Sequence, residues 1–140
     1  MSEPLKFHFE VDGDNFSSAG AASVMVKKKL RQLAYDPEII RKVSIAMYEG
    51  EINMVIHANG GTADVEVSDE EITIVLRDKG PGIPDVELAM QAGFSTAQDQ
   101  IRNLGFGAGM GFPNMKKYTD YLHVDTVVGE GTTVTMKVRL

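Results

Sequence analysis

The chain has 140 residues, the length of one ordinary domain, and its 43% hydrophobic and 24% charged content is that of a globular protein, neither disordered nor fibrous. Twenty acidic side chains against 14 basic ones set a formal net charge of −6 with no basic stripe, which argues against nucleic acid as a partner, and the absence of cysteine excludes a disulfide scaffold, a thiolate zinc site and cysteine nucleophiles. The opening residues lack the apolar region of a secretory signal and no run is long enough to span a bilayer, so the expected setting is cytoplasmic and away from membranes.

Leu5, Phe7 and Phe9 alternate with Lys6, His8 and Glu10, which predicts a half-buried strand ended by Asp12-Gly13-Asp14. A first helix is expected from Ser17 or Ser18, where a hydroxyl can cap free amides, through Val24, Val26, Leu30 and Leu33, with its lysines facing solvent. Asp36-Pro37-Glu38 then opens a second helix, because Asp caps, Pro pre-sets the backbone and Glu suits the positive end of the dipole. That helix should run to about Ala58 and stop at Gly60-Gly61, and its apolar residues leave so little polar circumference that it should be the central, mostly buried one. Strands are predicted over residues 64–67 and 72–76, around the acidic turn 68–71. A Gly/Pro loop follows Asp78, a short helix is expected over 85–91, and residues 93–111 show no sustained periodicity, a length of loop that is usually either a functional lid or disordered. A helix opening at 113–118 and a terminal hairpin of 121–128 with 132–140 complete the chain. This order predicts one α+β domain over residues 1–140, a two-layer α/β sandwich with helices on one face of a mixed β-sheet.

Three groups of residues could carry chemistry. Glu49 and Asn53 are four apart on the central helix and share a face; either they form a satisfied polar pair, or their oxygens face a cavity and suit a hard cation such as Mg²⁺. Asp78-Lys79-Gly80-Pro81-Gly82-Ile83 puts an acid at a strand end, where it can accept from an amino group, beside glycines that admit a flat ligand; a plain Gly/Pro turn reads the same way. Glycine makes up 14 of the 140 residues against a usual ~7%, and seven of the fourteen lie from Gly80 to Gly111. The run Gly105-Phe106-Gly107-Ala108-Gly109-Met110-Gly111 leads straight into a helix and would present amides to a phosphate, although its spacing is neither GxGxxG nor a P-loop.

In that order, and with Gly131-Thr132-Thr133 in the terminal hairpin, these motifs resemble the Bergerat ATP-binding fold of the GHKL superfamily, which includes gyrase, Hsp90, histidine kinases and mismatch-repair ATPases. Within it the chain most resembles the small anti-sigma-factor serine/threonine kinases, especially the stressosome switch kinase. The closer match rests on Glu49-x-x-x-Asn53-x-x-x-His57-Ala58, the segment Asp78 to Asp85, Gly93-Phe94-Ser95-Thr96 and Gly107-Ala108-Gly109-Met110-Gly111.

The resemblance implies ATP and Mg²⁺ as ligands. Asn53 would hold the metal and Glu49 would be the general base. Asp78 would accept from the adenine amino group with support from Thr132, Gly80 and Gly82 would let the backbone approach the nucleotide, and Gly107, Gly109, Met110 and Gly111 would donate amides to the phosphates. A catalytic lid arginine is implied near the γ-phosphate, and Arg102 is the one arginine between Asp78 and Gly111, in an ATP lid placed at about residues 93–108. His57 matches a position often occupied by histidine in these kinases, and its place at the helix end also suits capping of the last carbonyls; Ser95 and Thr96 could bind phosphate or cap local turns.

The implied function is a protein serine/threonine kinase acting on a STAS-domain antagonist in a bacterial partner-switching pathway. The alternative is an ATP-binding module that sequesters a sigma factor or activates a PP2C-type phosphatase. A homodimer stays open. A two-component histidine kinase is not expected, since His8, His57 and His123 lie outside any suitable long helix.

Overall fold

The structure is a computed structural model that describes residues 4–13, 20–58, 60–83 and 111–140. The elements are β1 (Leu5–Asp12), α1 (Ala21–Gln32), α2 (Pro37–Ala58), β2 (Gly60–Val67), β3 (Glu71–Asp78), α3 (Gly111–Tyr118), β4 (Tyr121–Val127) and β5 (Gly131–Arg139). The five strands form one sheet in the order β1-β2-β3-β5-β4.

Local chemistry sets the boundaries. Asp36 accepts from the Glu38 amide at 2.8 Å, which caps α2 where the Asp-Pro-Glu signal placed its start. The expected start of α1 at Ser17 or Ser18 lies outside the described residues; the helix begins after Gly20, whose φ of 94° is left-handed. At its other end, Tyr35 N–H donates to Leu30 C=O and Ala34 N–H to Arg31 C=O, the paired bonds of a Schellman stop, with Ala34 at φ 60° where glycine is usual. Between β2 and β3, Ser68 Oγ accepts from the amides of Glu70 and Glu71 and closes the acidic turn.

The helices lie on one face of the sheet. Strand positions that alternate inward, Ala63, Val65 and Val67 on β2, Ile72, Ile74 and Leu76 on β3, and Val134, Met136 and Val138 on β5, bury against Val26 and Leu30 of α1, Val43 and Met47 of α2 and Met115 of α3. Each such large apolar side chain contributes about 1.5–3 kcal/mol by leaving water. The opposite face is polar, and there Asp64 on β2 accepts from His8 at 2.6 Å and from Arg77 at 3.3 Å, linking β1, β2 and β3.

The α+β two-layer sandwich is the architecture expected from the sequence. The sheet, expected to be mixed, is antiparallel at all four strand pairings among the described residues. The reason is in the connections: β2–β3 and β4–β5 are hairpins, and the two-helix excursion from β1 returns the chain to the end it left, so that Asp12 opposes Gly60. Strands also run further than their alternation suggested, β2 from Gly60 and β3 to Asp78, because small or polar residues pair as well as apolar ones at the sheet end. Among the described residues no helix is long and apolar enough to cross a membrane.

Candidate functional site

Two groups of side chains, one on α2 and one at the end of β3, make up the site. Glu49 and Asn53 lie on α2, both half-buried. Burial pushes the Glu49 carboxyl above its ordinary range, and a hydrogen bond with the Asn114 side chain on α3 pulls it partly back. The net effect is a carboxylate that is a better base than a solvated one. The first residue of α3, Gly111, abuts Asn53: a Cβ there would stand 2.8 Å from Asn53 Nδ2. The start of α3 therefore covers the Glu49–Asn53 face directly, and any larger residue at 111 would displace the amide.

At the second group, Asp78 ends β3 opposite Thr132 of β5. Asp78 Oδ1 accepts from Gly80 N–H at 2.9 Å and from Thr132 N–H at 3.2 Å, and among the described residues both bonds fall on that one oxygen. The carboxylate is thus held in one orientation while Oδ2 keeps its acceptor capacity for a ligand.

The β4–β5 turn clasps the loop after Asp78. Gly129 N–H donates to Pro81 C=O at 2.8 Å, Ile83 N–H donates to Thr126 Oγ1 at 2.9 Å, and the hydroxyls of Thr126 and Thr132 share a hydrogen bond of 2.9 Å. Gly82 has φ 80°, and a Cβ on it would lie 2.7 Å from Val127 C=O; at Gly80 the same atom would lie 2.5 Å from Ala58 Cβ. Both glycines are required by the packing of the loop against the protein itself, a more immediate reason than the ligand approach inferred from the motif.

A cavity of about 1160 Å³ opens at this end of the sheet, lined by residues that include Glu10, Asp12, His57, Ala58, Asp78 and Gly80. It borders the Asp78 group, whereas Glu49 and Asn53 are not among its lining residues. Burial lowers the His57 pKa, which favours its neutral form beside this cavity.

The structure therefore joins Glu49, Asn53 and Gly111 in one group and Asp78, Gly80, Gly82 and Thr132 in another. Arg102, Gly107, Gly109, Met110, Ser95, Thr96, the helix expected at 85–91 and the lid expected at 93–108 lie outside the described residues. No group of three or more His, Cys, Asp or Glu side chains that could hold a metal occurs among the described residues; the Asn53 amide oxygen is a hard donor of the kind that suits Mg²⁺. The fit to a nucleotide is likewise chemical: an oriented carboxylate acceptor for an amino group, and an amide oxygen for a hard cation.

Three residues went unnoticed in the sequence. Thr126 ties the turn to the loop, and its signal was its place six residues before Thr132 on the facing strand. Asn114 bonds Glu49, and its only signal was a poor helix former inside a short helix. Glu51, 2% exposed, accepts from the amides of Gly20 (2.9 Å), Ala22 (3.2 Å) and Ser23 (3.0 Å) and so caps α1 from α2.

Comparison with known proteins gives three findings. The model of the histidine kinase-, DNA gyrase B- and HSP90-like ATPase family matches residues 41–140, a span that takes in Glu49, Asn53, Asp78 and Thr132. The chain is similar to the anti-sigma F factor of Caldanaerobacter subterraneus subsp. tengcongensis, at 35% identity over 94% of this chain and 89% of that one, and to the serine/threonine-protein kinase RsbT of Bacillus subtilis, at 30% identity over 81% and 83%. Its fold is similar to that in a solved structure of RsbU and RsbW domains from Mycobacterium tuberculosis, with a TM-score of 0.65, 17% identity, and coverage of 99% of this chain and 33% of that one.

Proposed function

The chain belongs to the histidine kinase-, DNA gyrase B- and HSP90-like ATPase family, and from that premise we propose that it is a Mg²⁺- and ATP-dependent protein serine/threonine kinase of a partner-switching pathway, with a STAS-domain antagonist protein as substrate. The observation that supports it best is Glu49, a carboxylate made more basic by burial, one helical turn from Asn53. A module that only bound nucleotide would have no use for a base at that place.

In this reading Asp78 selects adenine by accepting from its amino group through the oxygen its two amide donors leave free, and Thr132 fixes that carboxylate. Asn53 would hold Mg²⁺ through its amide oxygen, and the metal when bound screens the triphosphate charge. In the transfer, the partner's hydroxyl oxygen forms a bond to the γ-phosphorus while the bond from that phosphorus to the β,γ-bridging oxygen breaks. The electron pair leaves on ADP, and the hydroxyl proton passes to Glu49. Gly107, Gly109, Met110 and Gly111 would supply amides to the phosphates and Arg102 a charge near the γ-phosphate.

The test is incubation with Mg·ATP and candidate STAS-domain proteins, followed by intact mass measurement. A phosphate adduct that Glu49→Ala abolishes is the expected result; no adduct on any candidate would overturn the kinase reading. A second reading, an ATP-dependent module that sequesters a sigma factor or activates a PP2C-type phosphatase, is favoured by the relatives named anti-sigma F factor. Recovery of a sigma factor or a phosphatase by affinity capture, together with no adduct, would select it.

A further inference from the structure

The fold gathers charge that the sequence scatters. Helices α1, α2 and α3 together carry eight of the chain's 14 lysines and arginines but only three of its 20 acids. Of those three, Glu51 is buried as the cap of α1 and Glu49 is half-buried, so Glu38 is the one exposed acid on these helices. The chain as a whole has a net charge of −6, and the outer face of its helix layer has the opposite sign.

On α1, Val24, Lys28 and Arg31 follow at spacings of four and three, so they form one stripe; all are exposed, Val24 to 51%. On α2, Arg41 and Tyr48 are seven apart, share a face and are exposed. A Cβ on Gly20 would stand 2.8 Å from Tyr48 Cε1, which puts Tyr48 at the start of α1, the Val24 end. Residues 33–36 join the two helices at the other end, where Arg31 and Arg41 lie. One end of this surface is therefore apolar and the other basic.

Arg41 is the focus of the basic end. Its Cζ lies 5.3 Å from the centroid of the Tyr118 ring, and Lys117 Nζ lies 5.3 Å from the same centroid, so cations from two helices converge on one ring. The negative C-terminal ends of α1 and α3 account for Arg31 and Lys117, but Arg41 sits in the second turn of α2, where the dipole gives a cation no support. Its one ion pair among the described residues is with Glu38 at 3.7 Å, both side chains more than half exposed, a pair that solvent keeps weak. Asp36, just ahead of α2, is engaged with the Glu38 amide. Like charges beside one ring repel, and a carboxylate seated between them would relieve both.

We propose that this outer helix face is the docking surface for an acidic segment of the partner protein; the proposal rests on the reading above in taking that partner to be the antagonist substrate. An apolar residue of the segment packs on Val24 and Tyr48, and its carboxylates meet Lys28, Arg31 and the Arg41–Lys117 pair. The exposed apolar residues lie at one end and not along the length, which suits a protein segment and not a bilayer surface. Arg41 is eight residues before Glu49 on α2, about 12 Å along the axis, so one small domain can dock here and still present a hydroxyl at the site. Glu38 then competes with the partner for Arg41.

The surface is tested on the full chain with a synthetic peptide of glutamates around one leucine, and with the same peptide bearing lysine for glutamate. In an NMR titration the acidic peptide should saturably shift Val24, Lys28, Arg41 and Tyr48 and leave His8 and Asp64 on the open sheet face unmoved; the basic peptide should shift none of them. Lys28→Glu and Arg41→Glu, at exposed positions where circular dichroism should show the fold intact, should each weaken binding about tenfold. Glu38→Gln should tighten it, and Lys6→Glu on the sheet face should leave it unchanged. Shifts spread over the whole surface, equal weakening by Lys6→Glu, or binding to phosphatidylglycerol vesicles in place of the peptide would overturn the proposal. Dimerisation abolished by Arg41→Glu would instead assign the surface to a second copy. With a STAS-domain substrate, Lys28→Glu and Arg41→Glu should raise KM about tenfold at unchanged kcat, and an unchanged KM would overturn the role in substrate docking. If no candidate accepts phosphate, the kinase reading fails by itself, and the peptide titration still decides the surface.

Discussion

Glu51 joins two helices with a single carboxylate. Its two oxygens satisfy three amides at the first turn of α1, where the helix dipole also favours negative charge. Replacing it by leucine strands those donors in a buried place, so Glu51→Leu should cost about 3 kcal/mol in urea unfolding, and Glu51→Gln, which keeps one acceptor oxygen, about half as much. Glu49 behaves oppositely. Its folded-state pKa is raised, so its protonated form is the one the fold prefers; that contribution is present below the unfolded pKa and is lost as pH rises through the folded value. Glu49→Gln should therefore melt higher than the unaltered protein at pH 7, with the difference vanishing below about pH 4. Glu49 and Asn53 were visible in the sequence as polar residues four apart on an apolar helix. Glu51 was hidden because its partners are backbone amides around α1, which no side-chain pattern announces. It nevertheless falls on the buried stripe of Val43, Met47 and Met54 at helical spacing, and that is the trace it left.

At the level of elements, the sequence pattern located the helices and strands of the described residues, with α3 beginning at Gly111, two residues before the expected Pro113, and capping chemistry placed the start of α2 at its observed residue. What periodicity missed were ends set by pairing. β2 begins at Gly60 and not at Asp64, since the glycines bond to β1 despite adding nothing to an apolar pattern. Periodicity carried α1 to Leu33, its observed C-cap, although the usual stop signal is missing: the left-handed residue there is Ala34 where glycine is usual. That mismatch yields a prediction: Ala34→Gly should stabilise the protein by about 0.5–1 kcal/mol in thermal or urea unfolding, by relieving the left-handed strain at the helix end. A loss of stability would mean that the Ala34 methyl makes a contact worth more than the strain.

For the molecule as a whole, one cluster of buried side chains joins the three helices of the described residues to the sheet. Unfolding should accordingly be a single cooperative transition, with far-UV circular dichroism and fluorescence of the four tyrosines coinciding across urea concentration; two separated midpoints would contradict a shared core. The layer arrangement was legible from the order of elements, and the pairing direction was not, because it depends on which end of the sheet the two-helix excursion returns to. The strand order also sets a sequence of events during synthesis. β5 lies between β3 and β4, yet it follows both in the chain, and the bond from Thr132 to Asp78 spans 54 residues of chain. Glu49, Asn53 and Asp78 therefore emerge well before the strand that orients Asp78 and the turn that clasps its loop. The Asp78 carboxylate is oriented only once β5 has paired with β3, so in the proposed reading ATP would stabilise molecules in which that pairing is complete and give no help to those in which it is not.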